Sequence, residues 1–582
     1  MRDRLTAATL GWRVTALGFA LLCATAAAVL MTDASFAHGG SLWDAARVAL
    51  IFITTLWLAW GAAQALIGLP DLRRRVRELP APTAPTVVLL PICNEDPVAA
   101  SARLEAMEQS CRAAGLTVDF AVLSDTRDRQ AQAREYAAFL PLLRERPDRL
   151  RVYYRNRTDN HGRKAGNIEE FIRRSGAAWE FAVILDADSL MEGETIAHMI
   201  ARMMAEPRLG LLQTLPKIVG GSSLFGRAMM FAASFHSPVF ARGLQRLQGE
   251  TGPFWGHNAI VRVRALAQCC GLPQLTGPAP FGGTILSHDY VEAALLARGG
   301  WRVEVDPAIE GSYEEGPDNI IAYARRDRRW CQGNLQHIRL LTAPGLKTWS
   351  RFVFVQGIAA YLVSTLWAAF MIASVLATVT EPAPNYFPEP YQLFPVFPDD
   401  RTREIVALAI GIGGLLLLPK FAILAQAVAA RRTPGFGGAL RATAGVLAEV
   451  VLSSFIAPVM LAYQTRAVLQ VLSGQDGGWP ANQRGEGRLS LPESIAAGGW
   501  IALWGLAVLL ATGWLAPALT IWLLPVTLPM IAAPLLIWAT SLPILDGLFR
   551  TPEDARPSPV LSHYRALHSA PSPLPAAAAH AA

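Results

Sequence analysis

Residues 86–96 read Thr86-Val87-Val88-Leu89-Leu90-Pro91-Ile92-Cys93-Asn94-Glu95-Asp96. An apolar run that passes straight into a proline turn and polar residues is the pattern of a buried strand ending at a loop. In open α/β sheets, ligands bind outside the carboxyl ends of such strands. Asn94 and Glu95 are therefore candidate substrate-binding residues. The arrangement recurs at Val118 to Leu123, which ends in Ser124-Asp125. There the carboxylate either caps a turn or meets a ligand. Phe181-Ala182-Val183-Ile184-Leu185 then leads into Asp186-Ala187-Asp188. Two carboxylates so spaced can point oxygens at one hard divalent ion, Mg²⁺ or Mn²⁺, and leave sites open for a diphosphate. Asp-x-Asp is also common in ordinary loops; its position after an apolar strand is what favours the metal reading.

Four more segments carry chemistry. His161-Gly162-Arg163-Lys164-Ala165-Gly166-Asn167 sets two cations before an amphipathic helix. A helix amino terminus with a flanking lysine suits a phosphate group, and a solvated basic loop is the plainer alternative. Gly252-Pro253-Phe254-Trp255-Gly256-His257-Asn258 is a glycine and aromatic turn in which Trp255 either covers a sugar ring or packs in a core. In Ser287-His288-Asp289-Tyr290, Asp289 either caps the following helix or accepts the proton of an attacking hydroxyl. Arg325-Arg326-Asp327-Arg328-Arg329-Trp330-Cys331-Gln332-Gly333-Asn334 crowds arginines against a tryptophan. Arg326 and Arg329 suit a diphosphate and Trp330 a sugar, while the same composition suits an anchor in the headgroup zone.

Outward from this region the composition changes. Hydrophobic residues make up 52% of the chain against 17% charged, and they cluster in runs, which excludes an ordinary soluble protein. Val14 to Thr32 is free of charge and follows Arg2, Arg4 and Arg13, so it reads as a first span; Ala34-Ser35-Phe36-Ala37 would also suit a signal-peptide cleavage site. Val48 to Pro70 ends in Arg73, Arg74, Arg75 and Arg77, a basic end that belongs in the cytosol. Residues 1–80 thus read as two transmembrane helices and 81–346 as a cytosolic α/β domain.

Phe352 to Thr378 leads out to an acidic connection, Glu381 to Asp400, and Ile405 to Ala430 leads back. Residues 494–545 carry no charge and suit two helices joined near Gly513 to Pro517. The stretch 445–472 is apolar but holds Glu449 and Arg466, and a single crossing there would leave Arg550, Arg556 and Arg565 outside. Interfacial or re-entrant helices at about 443–472 and a cytosolic loop at about 473–491 are expected instead. That predicts six spans, a membrane region over 347–546 and a cytosolic tail over 547–582, disordered after Pro571.

The net charge of +6 suits anionic lipid or an anionic substrate. No basic stripe interleaved with aromatics points to nucleic acid. The six cysteines show no metal-ligand spacing, so reduced thiols and no zinc are expected.

Taken in order, these motifs resemble glycosyltransferase family 2, the processive synthases that include cellulose and hyaluronan synthases. Leu286 to Ala294 and Arg325 to Asn334 resemble the branch that makes osmoregulated periplasmic glucans. The resemblance implies a polytopic α-helical protein of the bacterial inner membrane with an inserted cytosolic GT-A domain. It implies UDP-glucose as donor, a growing β-glucan as acceptor, β-1,2 linkage, inversion, and passage of the product through the lipid bilayer. Periplasmic glucan-processing proteins and acyl carrier protein are partners on the same ground.

By the same resemblance, Asp125 matches the aspartate that meets the uridine, Asp186 and Asp188 the metal and diphosphate pair, and Lys164 the lysine near the diphosphate. Asp289 occupies the general-base position, and Arg329 with Trp330 the arginine and tryptophan serving diphosphate and acceptor. Two departures stand out: the usual Thr-Glu-Asp reads Ser287-His288-Asp289, and the usual Gln-x-x-Arg-Trp begins with Arg326. Both count against cellulose as product. The rival readings are a transferase that glycosylates a lipid carrier once and a transporter that only binds nucleotide sugar.

Overall fold

The computed structural model describes residues 6–36, 40–71, 78–144, 147–381, 386–387, 391–395, 401–477, 487–544 and 547–569. The basic run Arg73 to Arg77, most of the acidic connection, part of the 473–491 loop and the tail after Pro571 lie outside them.

Two long helices, α1 (Ala7–Ser35) and α2 (Leu42–Gly68), precede a mixed domain. That domain runs β1 (Thr86–Ile92), α3 (Pro97–Ala113), β2 (Asp119–Ser124), α4 (Arg129–Leu143), β3 (Val152–Asn156), α5 (Arg163–Ser175), β4 (Phe181–Ile184), β5 (Leu190–Met191) and α6 (Gly193–Ala205). It continues through β6 (Leu209–Gln213), β7 (Lys217–Val219), α7 (Leu224–Phe235), α8 (Ser237–Gln248), β8 (Ala259–Arg262) and α9 (Val263–Cys269). Then come α10 (His288–Arg298), β9 (Arg302–Val305), β10 (Ser312–Glu315) and α11 (Ile320–Gln336). The membrane region holds α12 (Thr348–Thr380), α13 (Thr402–Ala429), α14 (Ala439–Leu472), α15 (Leu491–Leu515), α16 (Pro517–Ile531) and α17 (Ala533–Thr540). Two short helices, α18 (Pro552–Ala555) and α19 (Pro559–Ser569), follow.

The main sheet has the order β3-β2-β1-β4-β8-β6-β9. β1, β2, β3 and β4 run parallel, and β8 is antiparallel to both β4 and β6. Every residue of β1 is buried, as the unbroken apolar run requires. Val88, Leu90 and Phe120 face one layer, with α3 and α6, while Val87, Leu89 and Ala121 face the other, with α5 and α10. A small second sheet, β5-β10-β7, closes one side of the cleft. The strand order reverses at β1, so the loops after β1, β2 and β4 open together into the crevice where ligands of such sheets bind.

Six helices, α1, α2 and α12 to α15, are long and apolar enough to cross a bilayer, and α16 with α17, bent by 55° at their break, make up to a seventh. The joint between the last two apolar helices falls at Ala516, where the sequence places it. The stretch expected to lie at the interface is one continuous helix, α14, of 34 residues. Its amino-terminal part contacts α7, with Gly445 against the Phe231 ring. Its carboxyl part contacts α11 through Gln464, which donates to Asp327 at 3.1 Å, and Gln470, which accepts from Arg328 at 3.2 Å.

The membrane helices are fastened to the mixed domain. Gly243 of α8 lies so close to α2 that a Cβ there would stand 1.8 Å from the Gln64 carbonyl oxygen. Arg242 donates to the Gly68 carbonyl at 3.0 Å and Arg246 to that of Ile67, cations set against the carboxyl end of α2. The end of the described chain returns to the same domain. Lys217 pairs with Glu553 at 2.8 Å and Arg227 with Asp554 at 2.6 Å, and Val560 and Leu561 enter the core beside α3.

Candidate active site

The loops after the first two strands are stitched together. Asn94 sits at a φ of +60°, and its backbone N–H donates to the Thr126 hydroxyl at 2.9 Å. The Glu95 carboxylate turns back to accept from the Cys93 N–H. Both residues follow directly on β1, in the first of the loops that open into the crevice.

Asp125 lies deeper, 5% exposed. Arg157 grips it with two parallel bonds, Nε to Oδ1 at 2.5 Å and Nη2 to Oδ2 at 2.8 Å, and Asn167 donates to Oδ1 at 2.9 Å. An ionised carboxylate offers about four acceptor positions. Three are filled, which leaves one acceptor position open. Arg157 lies outside the motifs from which the sequence reading was built, because it stands 32 residues beyond its partner on the far side of β3.

At the end of β4, Asp186 receives the ammonium of Lys164, which also donates to the Gly256 carbonyl at 2.7 Å. Lys164 stands in the first turn of α5, after Gly162 at φ +69°. Gly256 takes a φ of +87° that a side chain would strain, and its Cβ position lies 3.6 Å from Cβ of Asp289 and 3.8 Å from its Oδ2. One glycine thus joins Lys164 and Asp186 on one wall to Asp289 on the other. Trp255, its neighbour, donates its backbone N–H to Gln213 at 3.0 Å.

Asp289 occupies the first turn of α10. Burial pushes its carboxyl above the ordinary range; the adjacent His288 and two backbone N–H groups pull it down, and Glu292 pushes it up. For His288 burial alone would lower the pKa, but Glu292, 3.3 Å away, and Asp289 together raise it. The result is a carboxylate with no cation bonded to it by an ion pair among the described residues, unlike Asp125.

A second layer lies beneath Asp186 and Asp188. His257 approaches Glu314 of β10 at 3.3 Å. Burial would lower His257, yet Asp186, Glu314 and Asp188 together raise it. Glu314 is raised by burial first and by the two aspartates, against His257 and Arg326. Glu314 had no signal in the sequence: it is one of two glutamates on a short strand, and only the chain path turns it inward. His257 stands within the quoted turn but was not singled out.

Among the described residues no three His, Cys, Asp or Glu side chains converge to hold an ion by themselves. Asp186 and Asp188 nevertheless supply the hard oxygens that Mg²⁺ takes, one or two carboxylates with substrate phosphates and water completing the shell. The Lys164 ammonium already placed against Asp186 shows that a cation is accommodated there. The residues fit the group.

Helix α11 parts the arginine cluster. Arg326 lies 4.6 Å over the half-exposed Trp330 ring and within electrostatic reach of Glu314. Arg329, which the resemblance assigns to the diphosphate, lines a cavity with Arg325 and Arg328.

A mixed sheet with acidic residues after three strand ends and a further carboxylate across the cleft, joined to long apolar helices, is the arrangement of a family 2 glycosyltransferase. Two sequence profiles agree, "Glycosyl transferase family 2" over residues 87–269 and "Glycosyl transferase family group 2" over 181–397. The chain belongs to the glucans biosynthesis glucosyltransferase H family. It is 53% identical over 570 residues to the member from Cereibacter sphaeroides, covering 97% of this chain and 96% of that one. It is 39% identical to the member from Rhodopseudomonas palustris strain TIE-1 over 89% and 74% of the two chains, and 37% identical to that from Shewanella sp. strain ANA-3 over 93% and 76%. Among solved structures, a mannosyltransferase from Pyrobaculum calidifontis in complex with GDP-Man and Mn²⁺ is loosely similar, at a TM-score of 0.46 and 16% identity over 75% of this chain and all of that one.

Proposed function

We propose that the chain polymerises glucose from UDP-glucose into a β-1,2-linked glucan on the cytosolic face of the bacterial inner membrane and passes the product across. The observation that carries the reading is Gly256, which brings the base candidate Asp289 against the wall that holds Lys164 and Asp186. The family membership supports glucose and glucan.

In this reading Asp125 offers its remaining acceptor position to the uracil, and Lys164 and Arg326 meet the diphosphate. Asp186 and Asp188 would hold Mg²⁺ or Mn²⁺, which when bound neutralises charge on the departing diphosphate. Trp330 and Trp255 hold the acceptor end. Asp289 takes the proton of the acceptor hydroxyl while that oxygen forms its bond to the anomeric carbon and the bond to UDP breaks on the opposite face. One displacement gives inversion.

Membrane topology follows from parity. Five apolar elements, α12, α13, α14, α15 and the α16–α17 pair, separate the catalytic domain from α18 and α19, which dock on it. Both flanks lie on one side, so an even number cross. The contacts of α14 with the domain at Gly445 and Gln470 stand about 38 Å apart at 1.5 Å per residue, more than the ~30 Å hydrocarbon core. On this reading helix α14, although long and apolar enough to cross, lies along the domain, and six elements span. Between α11, α12 and α14, Ser364 donates to Gln464 and Gln464 to Asp327, a polar row amid apolar helices that suits the passage of a sugar chain.

The test is a donor screen with purified full-length chain and Mg²⁺ or Mn²⁺, followed by linkage analysis. β-1,2-linked polymer is expected from UDP-glucose. Transfer of one sugar to a lipid would favour the carrier reading, and no release of UDP from any nucleotide sugar would overturn catalysis.

A further inference from the structure

Arg103, buried in α3 at 5% exposure, reaches the turn that carries Asp186 and Asp188. Its guanidinium fork divides between two elements: Nη1 donates to the Ala187 carbonyl at 3.2 Å, and Nη2 meets the Glu315 carboxylate of β10. The Ala187 oxygen lies in the same rigid peptide plane as the nitrogen and Cα of Asp188, so holding it fixes where that aspartate starts. The turn is also closed on itself by Ser189, whose hydroxyl accepts from the Asp186 N–H at 2.8 Å.

Arg103 is in turn covered by the end of the described chain. The Tyr564 ring of α19 has its centre 4.8 Å from the guanidinium carbon, and its hydroxyl donates to the same Glu315 carboxylate at 3.4 Å. Helix α19 is seated there by Val560 and Leu561, buried beside α3, and α18 before it by the Lys217–Glu553 and Arg227–Asp554 pairs. Strand β10 supplies a second route to the same place. It pairs with β5, the strand that follows Asp188, and its Glu314 lies 3.3 Å from His257. A guanidinium shared between a carbonyl and a carboxylate, with an aromatic face over it, is held to one geometry.

We propose that Arg103 and Tyr564 are positioning residues for the metal and diphosphate site: α19 holds Arg103, and Arg103 holds the turn that offers Asp186 and Asp188 to a divalent ion. The inference rests on the reading of that pair as metal ligands, and it extends the site to a segment that reads in the sequence as a plain cytosolic tail. Partners one layer out from a ligand set change metal affinity by about 10- to 100-fold when they are lost.

The test follows UDP binding to the full-length chain in detergent, by calorimetry, as Mn²⁺ is raised. In Arg103→Lys, which keeps the charge but cannot fork to both partners, the Mn²⁺ concentration for half-maximal UDP binding is expected to rise roughly tenfold. Tyr564→Ala is expected to raise it about threefold, and Tyr564→Phe, which keeps the ring over Arg103, hardly at all. Combining Arg103→Lys with Tyr564→Ala should give less than the product of the two effects, since both act through one guanidinium. UDP affinity in chelator should match wild type, and saturating Mn²⁺ should restore kcat, two results that a general loss of stability would not give. If wild type gains UDP affinity with Mn²⁺ while both variants share its midpoint, or lose UDP equally with and without metal, the proposal is overturned and the metal pair stands. Should Arg103→Lys not fold, Tyr564→Ala decides alone. If wild-type UDP binding is indifferent to Mn²⁺ and Mg²⁺, the metal reading itself fails and the proposal with it.

Discussion

Asp125 and Asp289 are both aspartates of one crevice, yet their surroundings are opposite. The first is closed in by the Arg157 fork and Asn167, so its charge is matched and its geometry fixed. The second stands at the amino end of α10 with its pKa lifted by burial and a glutamate on the same helix. A matched carboxylate holds structure and can lend a spare lone pair to a ligand. An unmatched one is in tension with the fold and ready to take a proton. On the proposed reading, the contrast assigns binding to Asp125 and catalysis to Asp289.

The strongest way to break it is Asp289→Asn. Loss of a general base is expected to lower kcat by about 10²- to 10⁴-fold, with UDP binding close to wild type by calorimetry. Stability should hold or rise, since the amide removes a charge that burial disfavours. A large fall in Tm together with lost UDP binding would make Asp289 a structural residue and erase the contrast. Asp125→Leu should act the other way round. It leaves the Arg157 charge buried, a change that costs about 3–5 kcal/mol and should be read as a lower Tm. Adding Arg157→Met to that variant should recover much of the stability and none of the UDP affinity. Recovery of both would deny Asp125 any contact with donor.

Lys164→Met gives a smaller effect. Its ion pair with Asp186 is partly exposed, with 23% and 38% of the side chains accessible, so little stability depends on it. A lost charged hydrogen bond to the diphosphate predicts a roughly tenfold or greater fall in kcat/KM, carried mainly by KM. Unchanged kinetics would move the diphosphate away from α5.

The same contrast explains what the sequence could tell. Strand ends were legible, because apolar runs stop at Asn94, Asp125 and Asp186 for reasons of local hydrophobicity, and in a parallel sheet those ends must gather. The apolar joint at Ala516 was legible for the same reason. Pairings between distant segments were not. Nothing local links Asp125 to Arg157, His257 to Glu314, or Gly256 to Asp289, which depend on where whole elements dock. The two faces of α11 were hidden too, since Arg326 and Arg329 are close in sequence but turn to different surroundings on a helix.

The finest distinction concerns pH. Asp289 works only when ionised, so kcat/KM should fall about tenfold per pH unit below its pKa. Because burial raises that pKa above the ordinary 3.8, the acid limb should lie at higher pH than an exposed aspartate would give. Stability carries the opposite sign: a carboxyl whose pKa is higher folded than unfolded favours the fold at low pH, and that contribution is lost as pH rises through the folded value. Wild type should therefore lose ground to Asp289→Asn as pH rises from the unfolded to the folded pKa, so the gap in Tm opens along the acid limb, over the same interval in which activity appears, and is flat above it. Coincidence of the two curves would tie the strain and the catalysis to one carboxylate. If the Tm gap is flat across that interval while activity still titrates, the acid limb belongs to another group, and Asp289 loses its place opposite Asp125.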